Sequence, residues 1–505
     1  MDRNLKRQMS LGVLLSYVSI AVKLVTGLLY TPILLHSLGK SQYGVYSLCT
    51  SFVGYLTILN AGVNAAYIRF YVQEKALHKD NVEKLNGLFC KIFIVLSTIG
   101  FVGGLCVSYF SPFIFGLKIT PNEYELVRKC FILLAFTIAI EIFTCVFRSF
   151  IIANEEFIFS KIIDILTALL YPVMAIPLLH RGEDCTAVIT VRFIVAVITL
   201  LFDYIFCRKK LDIRFLFKKS ESVMLKNISQ FIAFIALQSI MDQLNWQIDK
   251  FILARIQGTS EISIYSVGST FNSYFLLIGG AVSGVFIAEI NRLVAANDEV
   301  RLNDLFRRTC KLFTYLIGFI ITAFVTFGRP FILRWAGEDY SRSFTVGWML
   351  MVPVTFSMIM GLGQDIARAK NRHQIQIIIN ICICIVNMLV SIPLADYYGS
   401  VGSAFGTFMA EIIVCMIVQP LYYSRMLGIN MKNVFSDIVR YLPGLAIPAF
   451  LGFLLNYLDI VKSDYSSILL FGVVFTAIYF ISIWICSMNS NDRQYVREIL
   501  RKKRL

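Results

Sequence analysis

Residues 39–55 read GKSQYGVYSLCTSFVGY, and residues 258–274 read GTSEISIYSVGSTFNSY. Laid over each other without a gap, they share Gly39/Gly258, Ser41/Ser260, Tyr46/Tyr265, Ser47/Ser266, Phe52/Phe271 and Tyr55/Tyr274. In both copies one long apolar segment precedes the match and another contains it. The offset corresponds to about six membrane crossings with their loops. An even number of intervening crossings gives the two copies the same orientation. Parallel repeats related by an axis along the membrane normal are therefore expected. Two such bundles facing each other across a central path suit a transporter better than an anchor or a scaffold.

Composition agrees. The chain has 505 residues, 57% of them hydrophobic, and a mean hydropathy of +0.71. A soluble domain of this size lacks the interior to bury so much apolar surface. Apolar stretches of about 20 residues or more, the length of a crossing, recur throughout. They lie near 10–35, 43–69, 86–111, 121–148, 156–180, 184–207, 227–254, 261–290, 309–328, 343–367, 374–395, 400–423, 440–458 and 466–487. The expected fold is an all-α integral membrane protein of about 14 transmembrane helices. Two parallel six-helix lobes, 1–207 and 227–426, are joined by a basic cytoplasmic linker, 208–226. Two further helices and a basic tail fill 427–505.

With both termini inside, about 32 of the 47 Lys and Arg residues fall in cytoplasmic segments and about 10 in external ones, a positive-inside bias. The net charge of +15 is thus mostly topology and an attraction to anionic lipid, not a nucleic-acid surface. Most of the twelve cysteines lie inside apolar spans. Cys185 is expected alone at the outer surface, with no external partner to bridge. The basic start MDRNLKRQ leads into a long span read as the first crossing and not as a removed signal. No GxxxxGK[ST] loop appears, so direct ATP hydrolysis is unsupported.

The stretches LHSLGKSQYGVYSL, IDKFILARIQGTSEISIYSVG, LRWAGEDY and ARAKNRHQ resemble the polysaccharide transporter branch of the multidrug/oligosaccharidyl-lipid/polysaccharide flippase superfamily, as does the fourteen-helix layout. The likeness covers nearly the whole chain. It implies a bacterial inner-membrane flippase, not an enzyme, that carries undecaprenyl-diphosphate-linked O-antigen, capsule or exopolysaccharide units outward by alternating access. One chain has both lobes and needs no partner to form a cavity, so a functional monomer is expected, with polysaccharide assembly proteins as its partners. Lipid II flippases are close relatives in that superfamily, and its drug extruders usually have twelve helices.

Such a task requires a hydrated cavity, since one unpaired hydroxyl costs about 4–8 kcal/mol to move into an alkane-like medium. Cations there would suit a diphosphate. Lys23, central in the first span, is the foremost candidate, with Arg192, Lys250, and Arg69 and Arg255 near the mouths. The seventh span carries Gln238, Asp242, Asn245 and Asp249 at i, i+4, i+7 and i+11, one polar stripe on an apolar helix. The repeat offset sets Asp242 opposite Lys23, a candidate gate. Asn380 and Asn387 share a face of the eleventh span, and Glu411 is central in the twelfth. These residues are read as cavity lining or as coupling groups for H⁺ or Na⁺, with Asp242 and Asp249 as the Na⁺ candidates and no firm metal site or cofactor. Inter-helix hydrogen bonding is the alternative role, worth about 0.6 kcal/mol per contact. Glu141 and Asp164 are expected to pair with Arg148 or Lys161, with Arg148 at the interface. Trp335 is assigned to an aromatic belt. The competing functions are a lipid II flippase, a cation-coupled drug or metabolite exporter, and a polymerase or glycosyltransferase on lipid-linked glycan. No outer loop is long enough to close over an enzyme's substrate.

Overall fold

The computed structural model describes residues 3–77, 82–115, 118–217, 222–370, 372, 374–458, 460–488 and 493. Among them there is no strand. Intramembrane backbone satisfies its own hydrogen bonds most simply as helix, and the apolar runs leave no alternative period. The chain packs as two units, Met1–Ser263 and Ile264–Leu505.

In the first unit α1 (Arg3–Leu77) runs through a turn at Gly39, whose φ of 68° breaks it into two crossings. Then come α2 (Val82–Phe115), α3 (Pro121–Ala153), α4 (Phe157–His180), α5 (Cys185–Lys209) and α6 (Ser222–Ile256). Helix α3 is the hub, packing on α1, α2 and α5, while α1 also packs on α4 and α6. Its start is set by a Thr120/Glu123 capping box followed by Pro121, which satisfies first-turn N–H groups. Asp184 caps α5 in the same way, accepting from Thr186 N. The first part of the linker is an extended strap. Leu216 N donates to Glu83 O at 2.9 Å, and Asn86 Nδ2 donates to Arg214 O at 3.1 Å.

The repeat offset leads to an expected lobe boundary at residues 208–226; by packing, α6 groups with the first unit. The cause is local: Phe251 stacks on Phe115 at 6.3 Å and meets Phe52 edge-on at 6.4 Å. A side chain on Gly54 of α1 would collide with Gln243 of α6.

The second unit holds most of α7 (Thr259–Ser283), then α8 (Ile287–Ala295), α9 (Glu299–Ala336), α10 (Arg342–Ile359), α11 (Leu362–Ala369), α12 (Gln374–Tyr398), α13 (Ser400–Ile413), α14 (Gln419–Leu427), α15 (Met431–Tyr457) and α16 (Tyr465–Ser482). A π segment, Val414–Val418, joins α13 to α14. Each expected span lies on helix. Eleven stretches among the described residues have the length and hydropathy of a crossing, and one, Ser10–Gly54, passes through the Gly39 turn.

Several expectations need correction. The 343–367 span breaks at Met360–Gly361 into α10 and the short α11. The stretch 329–342, left between two expected spans, is helical through Ala336. Trp335 is only 3% exposed and packs on Phe271 and Phe331, so it is core and not belt. Cys185 is buried, its Sγ 3.5 Å from Cys130 Sγ, because the start of α5 tucks against α3.

Candidate functional site

A cavity of about 680 Å³ opens among α1, α3, α4 and α5 of the first unit. Each helix lines it with a stripe one face wide. Helix α1 supplies Tyr46, Asn60 and Asn64; α3 supplies Glu141, Thr144, Cys145 and Arg148; α4 supplies Thr167 and Tyr171; α5 supplies Arg192, Val195, Ala196 and Thr199. These spacings of three, four and seven place the residues on one face of each helix.

Two ion-pair systems hold the cavity's charges. Arg192 Nε donates to Glu141 Oε1 at 3.0 Å, and Arg192 Nη2 donates to Glu141 Oε2 at 3.3 Å. This fork joins α5 to α3 and fixes both side chains in a plane. Arg148 Nε donates to Asp203 Oδ2 at 2.9 Å, and its Nη1 donates to Asp164 Oδ1 at 2.6 Å. Lys161 Nζ also reaches Asp164, at 3.3 Å. Arg148 thus ties α3 to both α4 and α5. Two carboxylates, one of them on the fully buried Asp203, draw it into the bundle, where it lines the cavity.

The uncharged lining is prepared for polar contact. The Tyr46 and Tyr171 hydroxyls lie 3.1 Å apart, and the Tyr171 ring meets Tyr30 edge-on at 5.5 Å. Ser149 Oγ donates to Asn64 Oδ1 at 2.8 Å. Thr144, Thr167 and Thr199 each donate to the carbonyl one turn back, which leaves oxygen lone pairs as acceptors. Asn60 is 5% exposed, and its Oδ1 has no partner among the described residues.

The other expected site residues lie elsewhere. Of the five cations, Arg192 lines this cavity; Lys23, Arg69 and Arg255 are exposed and Lys250 is half-buried. On α6, Asn245 and Asp249 are both buried, one turn apart on one face. The side chains of Gln238 and Asp242 lie outside the described residues, and with them the Lys23–Asp242 gate. In the second unit Gln376 Nε2 donates to Asn380 Oδ1 at 3.1 Å. Asn387 is fully buried. Its Oδ1 accepts from Ser391 Oγ at 2.6 Å and from Thr407 Oγ1 at 3.2 Å, which couples α12 to α13. Glu411 is 6% exposed, with Cys415 Sγ at 3.9 Å from its Oε2. No cluster of three or more His, Cys, Asp or Glu suited to a metal occurs among the described residues.

The sequence reading does not single out Asn60, Asn64, Tyr171 or Asp203, and it names Tyr46 only as a matched residue of the repeat. The signal for Asn60 and Asn64 was present: two amides one turn apart in an apolar span, the same periodicity that marks α6.

A profile of polysaccharide biosynthesis proteins matches residues 12–286. A Shigella flexneri protein named "Putative O-antigen transporter" is 22% identical over 395 residues, covering 77% of this chain and 91% of that one. The fold resembles the lipid II flippase MurJ in an inward closed conformation, with a TM-score of 0.72 and 15% identity over 94% of this chain and 97% of that one. It also resembles an inward-facing multidrug resistance MATE family transporter of the MOP superfamily. There the TM-score is 0.66 and the identity 14%, covering 81% of this chain and 98% of that one. The profile spans more than half of the sequence, and the chain belongs to the polysaccharide biosynthesis protein family.

Proposed function

We propose that this protein is a flippase that moves a lipid-linked oligosaccharide between membrane leaflets by alternating access. The observation that carries the reading is the first-unit cavity, where a forked Arg–Glu pair and several hydroxyl and amide groups face open space among apolar helices. Charged and amide groups held inside a membrane bundle are costly and mark pathways. A sugar head group needs such a wet route, whereas its lipid tail needs none. The family, the O-antigen relative and the flippase and transporter fold neighbours support the same reading, and the relative and the neighbours are named as transporters or a flippase.

In this reading the cargo rides on an undecaprenyl diphosphate carrier in a bacterial inner membrane. The two repeats rock as the moving halves, with both termini cytoplasmic and one chain sufficient. Lys23 meets the diphosphate and closes on Asp242, while H⁺ or Na⁺ at the α6 stripe supplies coupling. The test is depletion in the native bacterium, following the leaflet in which lipid-linked oligosaccharide accumulates. Build-up on the cytoplasmic leaflet, relieved by wild type but not by Arg192→Ala or Lys23→Ala at equal expression, is expected. No build-up with unchanged surface glycan would refute the glycan cargo and point to an exporter.

A further inference from the structure

We infer that the first-unit cavity is a receptor for one neutral, hydroxyl-rich sugar ring, a subsite within a single lobe. The inference rests on the flippase reading for its biological meaning, though not for its chemistry.

The argument begins with charge. Arg192 and Glu141 neutralise each other through a two-bond fork, and Arg148 and Lys161 together balance Asp164 and Asp203. A free anion entering here would meet the Glu141 carboxylate, and a free cation would meet two guanidinium groups. A neutral polyol meets neither penalty. Arg192 and Glu141 nevertheless keep 28% and 27% of their side-chain surface accessible, and both line the cavity. The pair therefore presents donor and acceptor edges side by side, as two adjacent sugar hydroxyls require.

The second observation is Asn60. Its Oδ1 is buried and has no hydrogen-bond partner among the described residues, although the side chain lines the cavity. A buried orphan acceptor is costly, and a turn of the amide toward the cavity would let a ligand hydroxyl satisfy it. The paired Tyr46 and Tyr171 hydroxyls can each donate or accept, and an aromatic ring offers a face to the apolar side of a pyranose. The volume, about 680 Å³, lies inside the range of about 300–1,000 Å³ found for small-molecule sites.

The experiment is direct binding to the purified full chain in lipid nanodiscs, read by saturation-transfer NMR and by thermal shift. The probes are methyl glycosides of glucose, galactose, N-acetylglucosamine and N-acetylgalactosamine, together with glucuronate and glucosamine as charged controls. The expected result is saturable binding of at least one neutral glycoside in preference to both charged controls. Asn60→Ala should weaken it about tenfold, the effect of one lost hydrogen bond to a satisfied acceptor. Tyr46→Phe provides a conservative second variant should Asn60→Ala fold poorly, and a several-fold loss is expected. Preference for a charged sugar, no saturable binding by any neutral glycoside, or unchanged affinity in both variants would overturn the inference. Leaflet accumulation tests flipping separately. Flipping without sugar binding here refutes this subsite alone; binding without flipping leaves the subsite standing and removes the flippase reading.

Discussion

Gly39 and Gly258, the first matched pair of the repeat, both hold left-handed backbone, with φ of 68° and 92°. Each lies at a turn between two long helices: Gly39 divides α1, and Gly258 separates α6 from α7. The conserved spacing thus marks a conformational requirement that only glycine meets cheaply. The two turns differ in their surroundings. Nothing lies within 4 Å of a side chain built on Gly39, whereas one on Gly258 would meet Lys118 O at 3.0 Å. Both alanine variants should lose about 1–2 kcal/mol from backbone strain, and Gly258→Ala should lose more. Thermal unfolding of the purified variants checks the order; equal losses would remove the role assigned to Lys118.

Glu123 gathers the same region. Its Oε1 accepts from Ser41 Oγ and Thr259 Oγ1, and its Oε2 accepts from Thr120 N at 2.8 Å and Thr120 Oγ1 at 2.9 Å. One carboxylate therefore joins the Gly39 turn, the start of α3 and the start of α7. A side chain on Gly44 would collide with the Thr259 backbone, so these segments are in close contact. Glu123→Gln, which exchanges one acceptor oxygen for a donor, should cost about 1–2 kcal/mol of stability. Glu125→Gln is the control, because Glu125 pairs with exposed Lys129; it should stay within about 0.5 kcal/mol of wild type.

Asp203 is fully buried against Arg148. Asp203→Ala should destabilise the first unit by about 3 kcal/mol, because a largely buried guanidinium loses one of its two carboxylates. Removing both charges as Arg148→Met/Asp203→Leu should recover part of that loss. Chemical denaturation in detergent measures both. A double variant less stable than the single one would show that Asp164 and Lys161 need Arg148 more than Asp203 does.

The Cys130 and Cys185 thiols touch at 3.5 Å. A disulfide oxidant or copper-phenanthroline should remove two protons and two electrons and join them, drawing the sulfurs to about 2 Å. Mass spectrometry of the digested, unreduced chain should find the α3–α5 linked peptide, and Cys185→Ser should abolish it. Persistence of both free thiols after complete oxidation of exposed Cys106, Cys382 and Cys486 would place the pair out of bonding geometry.

Local sequence pattern sets the class and the helical spans, and it pairs Gly39 with Gly258 without saying that either is a turn. Those features are written in local periodicity: about 20 consecutive apolar residues allow only a crossing helix, and a matched segment at a fixed offset allows only a repeated unit. It also selected Arg192 and expected Glu141 and Asp164 to form ion pairs. Asp164 takes both of its expected partners, Arg148 and Lys161, whereas Glu141 takes Arg192 in place of either. Glu141 pairs with Arg192 across 51 positions and Arg148 with Asp203 across 55, separations over which no helical period carries information. Cys185 read as solitary because its partner lies 55 residues away on another helix. Trp335 read as an interfacial ring because hydropathy cannot distinguish lipid from a packed neighbour. The cavity itself is a property of four helices assembled together. Each contributes a short polar stripe, unremarkable alone, and only their packing turns those stripes toward one another.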